Sequence, residues 1–382
     1  MKGFLSVYSF SISFDKSVEP KHRAGRVYGK ERQVFNLPHR TARKIKNMVF
    51  VVGNSRSGTT MMGRILGKHP NVYTFGELHF FGQLCAPPFS SASRKEEIEE
   101  LTSQLHCIQR EGYRTHGNPR RFLGEAQVFL ERLTPYPETQ AALFEAFLYY
   151  VAAANGGTIP CDQTPRNVFY IADILQLYPN ARIINMIRDP RDVLLSQKRK
   201  WKRRFLGGSD LPMKEMFRDW VNYHPITISY IWRTAVTAAE QFLQHERVTS
   251  IYFEELLAHP KATVKHLCDF VGITYTEAML QVPQVGSSVA EDQPEQLGIN
   301  PHRAHSWHSD PTGGELSSAE IYLNQKINAA LMKKHNYSPV SIQPNVASLI
   351  LHLLAFPVKL GGAFLFNLDR MKNIRQTLKR RI

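Results

Sequence analysis

The stretch Val49 to Thr60, VFVVGNSRSGTT, decides the fold. The run Met48 to Val52 is short, apolar and rich in β-branched residues, which is typical of a strand buried on both faces of a parallel sheet. Gly53 and Gly58 follow, separated by four residues, and a helical pattern begins at Thr59. Such a loop points backbone N–H groups and the positive end of a helix at one anion. The sequence therefore predicts an α/β protein with a P-loop-like anion site.

The loop departs from the triphosphate-binding pattern at one position. In the sequence Gly-x4-Gly-Lys-Ser/Thr a lysine reaches the β/γ-phosphates, and Thr59 stands in its place here. Arg56 lies inside the loop, where its planar and permanently charged guanidinium suits bidentate binding of a phosphate or sulfate. A P-loop kinase remains an alternative, although Thr59 and the lack of a clear Mg²⁺-binding carboxylate argue against it.

A second basic motif follows another strand-like run, Ala181 to Ile187. The motif reads Arg188-Asp-Pro-Arg-Asp192 and continues into a helical pattern. We expect Arg188 to leave the end of the strand, and Ser196 and Lys200 to share one face of the helix because they are four residues apart. These three side chains together could hold a second phosphate.

The two motifs together resemble those of sulfotransferases that use 3′-phosphoadenosine 5′-phosphosulfate (PAPS). Arg56 to Thr60 resembles the family's 5′-phosphosulfate loop, and Arg188 with Ser196 resembles its 3′-phosphate site. The pair Gly76-Glu77 makes the likeness strongest to protein-tyrosine sulfotransferases and related bacterial enzymes. The resemblance extends over roughly Met48 to Tyr337. It implies transfer of a sulfuryl group from PAPS to a hydroxyl acceptor.

The resemblance also implies which residues bind the donor. The expected PAPS-binding residues are Arg56, Ser57, Gly58, Thr59, Thr60, Arg188, Ser196, Lys200 and Tyr252. For Tyr252 a role as an ordinary core aromatic is an equal alternative. The segments Ser287-Ser288 and Asn300 to Trp307 resemble the loop that closes over the nucleotide.

Glu77 is the predicted catalytic base. It follows a second strand-like run, so we expect it to project from the carboxyl end of a parallel strand, where ligands bind in such sheets. Sulfuryl transfer needs a base for the acceptor hydroxyl and cations that hold the developing charge. The predicted catalytic residues are therefore Glu77 as base, Arg56 as the main electrostatic stabiliser and His79 as a substitute base.

One departure from the family pattern concerns the leaving group. Gln163 stands where the family often has a lysine that stabilises the leaving phosphate. A neutral amide donates a weaker hydrogen bond than a charged group, so Arg56 and Arg166 are candidates to compensate. Without compensation the rate is expected to be low, and a non-catalytic nucleotide-binding, membrane-associated protein is therefore the second alternative.

The chain divides into three predicted segments. These are a basic N-terminal extension (1–47), a sulfotransferase domain (48–340) and an apolar and basic C-terminal tail (341–382). Sheet-forming runs alternate with helical stretches, which is typical of a parallel sheet flanked by helices. The five runs begin near Val49, Val72, Ile159, Ile183 and Val248. A helical insertion at about 86–157 is expected to cover the acceptor site.

Charge and composition limit the partners. The formal net charge is +15, which favours an anionic donor together with an acidic acceptor or an anionic membrane surface. The sequence shows no nucleic-acid-binding pattern and no metal-ligand spacing, so we expect neither nucleic acid nor a metal. The four scattered cysteines and an N-terminus without a signal-peptide pattern favour a cytoplasmic location.

The segment Val346 to Leu368 is apolar but interrupted. Lys359 alone costs about 3 kcal/mol in a membrane-spanning helix, so spanning is marginal. A helical stripe is formed by Leu349, Leu353, Phe356, Leu360 and Phe364, and a basic segment follows. The pattern favours peripheral attachment to an anionic membrane, and with it a carbohydrate, glycolipid or other amphiphile as acceptor.

Overall fold

The first strand, loop and helix form where the sequence predicts them. A computed structural model describes residues 47–89, 92–115, 117–206, 212–286, 291–308 and 315–368. The apolar run forms strand β1 (Met48–Gly53), all of whose residues are buried, and helix α1 (Thr59–Gly67) begins directly after the loop. The predictions for residues 1–46, 287–288 and 369–382 lie outside the described residues.

Five parallel strands form the central sheet in the order β2-β3-β1-β4-β5. The other four are β2 (Val72–Thr74), β3 (Ile159–Asp162), β4 (Ala181–Ile187) and β5 (Val248–Tyr252). Each coincides with a sheet-forming run, so the predicted α/β fold with a parallel sheet is confirmed. Because the strands are parallel, their carboxyl ends meet at one edge of the sheet, where both basic motifs begin.

Helices cover both faces of this sheet. The helices before β5 are α2 (Lys95–Glu111), α3 (Leu123–Glu131), α4 (Gln140–Ala154), α5 (Ile171–Leu177), α6 (Pro190–Lys198), α7 (Met213–Asn222) and α8 (Pro225–Glu240). After β5 follow α9 (Phe253–Ala258), α10 (Pro260–Val271), the antiparallel pair β6 (Pro283–Gln284) and β7 (Gln293–Leu297), α11 (Ser318–Lys334) and α12 (Val346–Leu365). Alternate residues of β1 point to opposite cores: Phe50 packs with α4 and α5, whereas Val51 packs with α1 and α10.

The predicted insertion forms helices α2 to α4. Most of it packs on the core, where the ring of Phe144 stacks on Phe80 with centroids 4.0 Å apart. Of its described residues only Tyr113 and Arg114 line the cavity next to Glu77. The insertion therefore contributes a short part of that cavity's wall.

The helical prediction after Arg188 is wrong at its end. Helix α6 stops at Lys198, and Lys200–Phe205 forms a tighter 3₁₀ helix. Ser196 and Lys200 therefore do not share one helical face. Because the chain changes from an α-helix to a 3₁₀ helix, the neighbouring cations pair with different carboxylates. Arg199 binds Glu315, while Lys200 Nζ lies 3.0 Å from Asp219.

We expect Gly53→Ala to lower the free energy of unfolding by about 1–3 kcal/mol. Gly53 has φ 140°, and a Cβ there would lie 2.4 Å from the backbone oxygen of Met186 on the neighbouring strand. Chemical denaturation measures the loss. Gly124→Ala is the matched control, because a Cβ on this helical glycine meets nothing within 4 Å, so its stability should stay equal or rise. Equal stability of both variants would contradict the argument.

Candidate active site

The two basic motifs meet at a cavity of about 420 Å³ at the carboxyl ends of the strands. We call it the donor cavity. The predicted residues that line it are Arg56, Gly58, Thr59, Thr60, Arg188 and Ser196. Ser57 lies just behind, with its buried Oγ lacking a hydrogen-bond partner within the described part of the chain. The structure thus brings together both anion-binding motifs.

The start of helix α1 is open to the donor cavity. Gly58 occupies the N-cap position with φ 95°, and no side chain caps the helix. A Cβ on Gly58 would lie 2.4 Å from the ring of Phe253, so only glycine fits. Thr59 and Thr60, in the first turn, line the cavity. An uncapped helix N-terminus without acidic residues is suited to a phosphate or sulfate.

Two guanidinium groups border the same cavity. Arg56 Nε donates to Ser196 Oγ over 2.8 Å, and Arg188 donates to the Arg56 carbonyl oxygen over 3.3 Å. Arg188 lies 4.3 Å from the centroid of the Phe253 ring, and Trp232 Nε1 donates to its carbonyl oxygen over 2.9 Å. Among the described residues the buried Nε of Arg188 has no partner. An anionic ligand would satisfy it.

The charge state of Arg56 suits an anion site. Burial, followed by the like charge of Arg188, lowers the pKa of Arg56 to about 10. This value is still well above neutral pH, so the guanidinium stays charged. Two like charges in a partly dry cavity repel each other, and a bound dianion relieves both the repulsion and the loss of hydration.

A second cavity of about 280 Å³ adjoins the first. We call it the acceptor cavity. The residues that line both cavities are Ser55, Glu77 and Pro165. Glu77 is the acidic residue of this shared set, and its half-buried carboxylate lies at the junction. A base at that position can reach a hydroxyl group in the acceptor cavity while an anion occupies the donor cavity.

The loop that presents Glu77 is fixed by buried polar contacts. Thr164 Oγ1 accepts a hydrogen bond from the Leu78 N–H over 3.0 Å and donates to Asp162 Oδ1 over 2.7 Å. Asn167 Nδ2 donates to the other oxygen of Asp162 over 2.8 Å. The backbone next to Glu77 is therefore tied to the end of β3.

His79 contacts the carboxylate of Glu77 directly, with Nε2 3.0 Å from Oε2. Its ring lies against Tyr113, with centroids 4.1 Å apart. Burial by itself would raise the pKa of the Glu77 carboxyl, but the hydrogen bond from His79 and the charges of Lys200 and Arg114 lower it overall. Glu77 is thus ionised at neutral pH, as a base must be.

An ion-pair network forms the far side of the acceptor cavity. Asp219 binds both Arg114 and Lys200, and Glu215 binds both Arg114 and Arg218. Burial lowers the pKa of Lys200 despite its pairing with Asp219. These groups offer cationic hydrogen-bond donors and anionic hydrogen-bond acceptors to a polar substrate.

Three residues that the sequence analysis singles out do not line the donor cavity. Lys200 lines the acceptor cavity rather than the donor cavity. Tyr252 lines neither, and its hydroxyl lies 3.0 Å from His335 Nδ1, which matches the core-aromatic alternative. Gln163 is buried against α1 and borders a separate cleft, with its Oε1 lacking a partner among the described residues. Of the closing loop, Arg303 lines the donor cavity, whereas Trp307 packs under Arg191.

Sequence reasoning missed several residues of the site. Phe253, which supports Arg188 and Gly58, follows β5 directly, so its place at a strand's carboxyl end was an available signal. Arg114, Glu215 and Asp219 belong to no motif. Arg114 is separated from the two carboxylates by about a hundred residues, so their pairing arises from tertiary packing alone.

Comparison with known proteins places this geometry in a family. Residues 48–277, more than half of the chain, match the sulfotransferase family. The chain is 26% identical over 237 residues to a putative protein-tyrosine sulfotransferase of Caenorhabditis briggsae, covering 62% of this chain and 69% of that protein. It is 23% identical over 264 residues to protein-tyrosine sulfotransferase 2 of Gallus gallus, covering 68% of this chain and 61% of that protein, under two thirds of its length.

Among solved structures, the sulfotransferase domain from the curacin biosynthetic pathway aligns with a TM-score of 0.44 and 18% identity, covering 75% of this chain and 97% of that domain. The family match rests on the segment that contains both anion-binding motifs and Glu77. Sulfuryl transfer, not the kinase alternative, is the chemistry of that family. The chain therefore belongs to the sulfotransferase family, whose members are PAPS-dependent enzymes.

Proposed function

We propose that this sulfotransferase moves a sulfuryl group from PAPS to a hydroxyl of a carbohydrate, glycolipid or other amphiphile, with Glu77 as general base. The position of Glu77 at the junction of the donor and acceptor cavities is the observation that supports this assignment. A base there lies beside both reactants, and in-line transfer needs that placement.

The donor cavity offers a matching set of groups for the two charged ends of PAPS. The open start of α1 and Arg56 would hold the 5′-phosphosulfate, and Arg188 with Ser196 would hold the 3′-phosphate. When bound, PAPS supplies the sulfuryl group, and its S–O bond to phosphate breaks with the electron pair leaving on the phosphate. The cationic guanidinium of Arg56 stabilises the negative charge that develops on the sulfuryl and phosphate oxygens. It can do so because Ser196 fixes its position and burial removes it from water.

The acceptor side supplies the proton transfer. The Glu77 carboxylate takes the proton of the acceptor hydroxyl as the acceptor oxygen forms its bond to sulfur. His79 orients the carboxylate through its 3.0 Å contact and, with the charges of Lys200 and Arg114, lowers the pKa of Glu77. The mixed ion pairs of the cavity wall suit a polyhydroxylated headgroup, since hydroxyl groups both donate and accept hydrogen bonds.

The absence of the family's lysine at Gln163 is compensated, in this proposal, by arginine and by Lys200. Gln163 borders neither cavity, whereas Arg56 and Lys200 lie on either side of Glu77. We further propose a cytoplasmic protein attached peripherally to a membrane, which is the location that the sequence favours. The one helix of the described residues that is long and apolar enough to cross a membrane, Val346–Leu365, is weak support by itself.

Arg56→Ala and Arg188→Ala should each weaken binding of 3′-phosphoadenosine 5′-phosphate by about 10- to 100-fold, because each removes a charged hydrogen-bond donor worth about 1.5–3 kcal/mol. Calorimetric titration measures the change. Arg132→Ala, which removes an exposed arginine of the insertion, should bind as the wild type does. Unchanged binding in both cavity variants would remove the donor assignment.

Glu77→Gln should lower kcat by about 10²- to 10⁴-fold while leaving binding of 3′-phosphoadenosine 5′-phosphate unchanged. The amide keeps the shape of the side chain but cannot accept the proton. Transfer from radiolabelled PAPS to a panel of glycolipids and saccharides provides the rate, and exposed Glu131→Gln is the control. A wild-type rate in the Glu77 variant would show that another group is the base.

His79→Asn should move the acidic limb of the kcat/KM profile to higher pH. The pKa of Glu77 is held below its usual value, so activity persists above that pKa and is lost as pH falls through it. Without the imidazole, the raising effect of burial is less opposed and the pKa of Glu77 rises. Asparagine tolerates the left-handed backbone at this position, where φ is 53°. An unshifted acidic limb would exclude His79 as the residue that tunes Glu77.

A further inference from the structure

Helix α12 is apolar over most of its circumference, and its polar side chains Ser348, His352 and Lys359 lie along one side. The predicted stripe mostly faces the domain, where Leu349, Phe356, Leu360 and Phe364 are half-buried, and of the stripe only Leu353 is exposed. A different apolar set points outward: Val346, Ile350, Leu351, Leu354, Val358 and Leu365. Of these, Val358 is 76% and Leu354 70% exposed. A helix whose exposed outer side is this apolar needs an apolar environment on that side.

Helix α7 has two different faces. Glu215, Arg218, Asp219 and Asn222, spaced as one helical face, line the acceptor cavity. The opposite side exposes large apolar side chains to solvent, namely Met213, Phe217 and Trp220. One helix thus forms the cavity wall and an exposed aromatic surface.

The outer sides of α7 and α12 join into one surface, which we call the α7–α12 face. The two helices approach closely, since a Cβ on Gly362 would lie 3.2 Å from Val221 Cγ1. Lys359 Nζ lies 3.6 Å from the centroid of the Trp220 ring and donates to the Trp220 carbonyl oxygen over 3.3 Å. The pairing of an aromatic ring with a lysine that keeps its charge at the boundary is typical of the membrane–water interface.

The end of α12 also builds the acceptor cavity. Arg218, only 2% exposed, donates from Nε to the Phe366 carbonyl oxygen over 2.9 Å and from a terminal nitrogen to Glu215 over 2.6 Å. Asn367 lines the cavity and donates to Asn222 Oδ1 over 2.8 Å. The α7–α12 face and the acceptor cavity therefore share their structural elements.

Charge identifies the occupant of the face. The fourteen residues after Leu368 contain six lysines and arginines and one acid, and the whole chain carries a net charge of +15. Basic residues next to an apolar helix are attracted to anionic lipid headgroups, each by about 1 kcal/mol. Helix α12 contacts α7 and contains Pro357 and Lys359. These features suit a helix that lies in the membrane–water interface.

We propose that the α7–α12 face docks on an anionic lipid bilayer and holds the acceptor cavity beside the headgroups. The acceptor is then an amphiphile whose apolar part stays in the bilayer while its hydroxyl reaches Glu77. This statement on the acceptor rests on the proposed function, whereas the docking face stands without it.

The double variant Leu354→Glu with Val358→Glu tests the face without touching the cavity. Wild-type protein should float with vesicles of phosphatidylcholine and phosphatidylglycerol, and should float at least tenfold less with phosphatidylcholine alone. The double variant should lose at least tenfold of its binding to the mixed vesicles. Val128→Glu, which places a charge on a 48% exposed residue of α3, should bind as the wild type does.

Each remaining outcome overturns the proposal. Equal vesicle binding of the double variant and wild type would exclude the face. Resistance of the bound protein to alkaline carbonate extraction would show a spanning helix instead. Dimers in sedimentation that the double variant abolishes, without vesicle binding, would assign the face to a second copy. Calorimetry with 3′-phosphoadenosine 5′-phosphate separates the two proposals: failure of the donor site leaves the docking result standing, and retained affinity in the double variant shows that it is folded.

Discussion

The hydrogen bond from Arg188 to the Arg56 carbonyl ties together the two loops that leave strands β1 and β4. These strands are neighbours in the sheet, so the loops begin side by side, and this contact fixes the Arg188 guanidinium against the backbone of the loop after β1. Phe253 supports Arg188 from below and excludes any side chain at Gly58. The open start of α1 and both arginines thus form one positively charged site. Repulsion between the arginines disfavours the empty site, so donor binding should stabilise the fold as well as begin catalysis.

Burial and neighbouring groups have opposite effects on the pKa of Glu77. Partial burial favours the neutral carboxyl, while His79, Lys200 and Arg114 favour the carboxylate and prevail. A carboxylate with a low pKa is deprotonated at neutral pH, but it is a weak proton acceptor. When an acceptor fills its cavity and displaces water, burial increases, and we expect the pKa of Glu77 to rise toward a more useful value. In the proposed reaction, Glu77 would then be a stronger base only when an acceptor is bound.

The parts of the site that the sequence predicts are those encoded in short segments. The strand, glycine and arginine order around Arg56 and Arg188 is local, and parallel strands bring their ends together by topology. The predicted position of Lys200 is wrong because helix α6 ends at Lys198. Beyond it, Arg199 pairs with Glu315 and Lys200 pairs with Asp219. The network of Arg114 with Glu215 and Asp219 joins distant segments without a motif. Only the folded chain reveals such contacts.

Arg218 links the end of helix α12 to the wall of the acceptor cavity. Its buried guanidinium donates to Glu215 in the cavity wall and to the Phe366 carbonyl oxygen at the end of α12. Removing α12 together with Phe366 would take away one acceptor of this buried guanidinium, and a buried charged donor that loses its acceptor destabilises the fold. A truncated chain would therefore alter the acceptor cavity even toward a water-soluble acceptor, and loss of its activity would say nothing about lipid. Substitutions on the outer side of α12 avoid this coupling, because Leu354 and Val358 are exposed and stand apart from the contacts of Arg218.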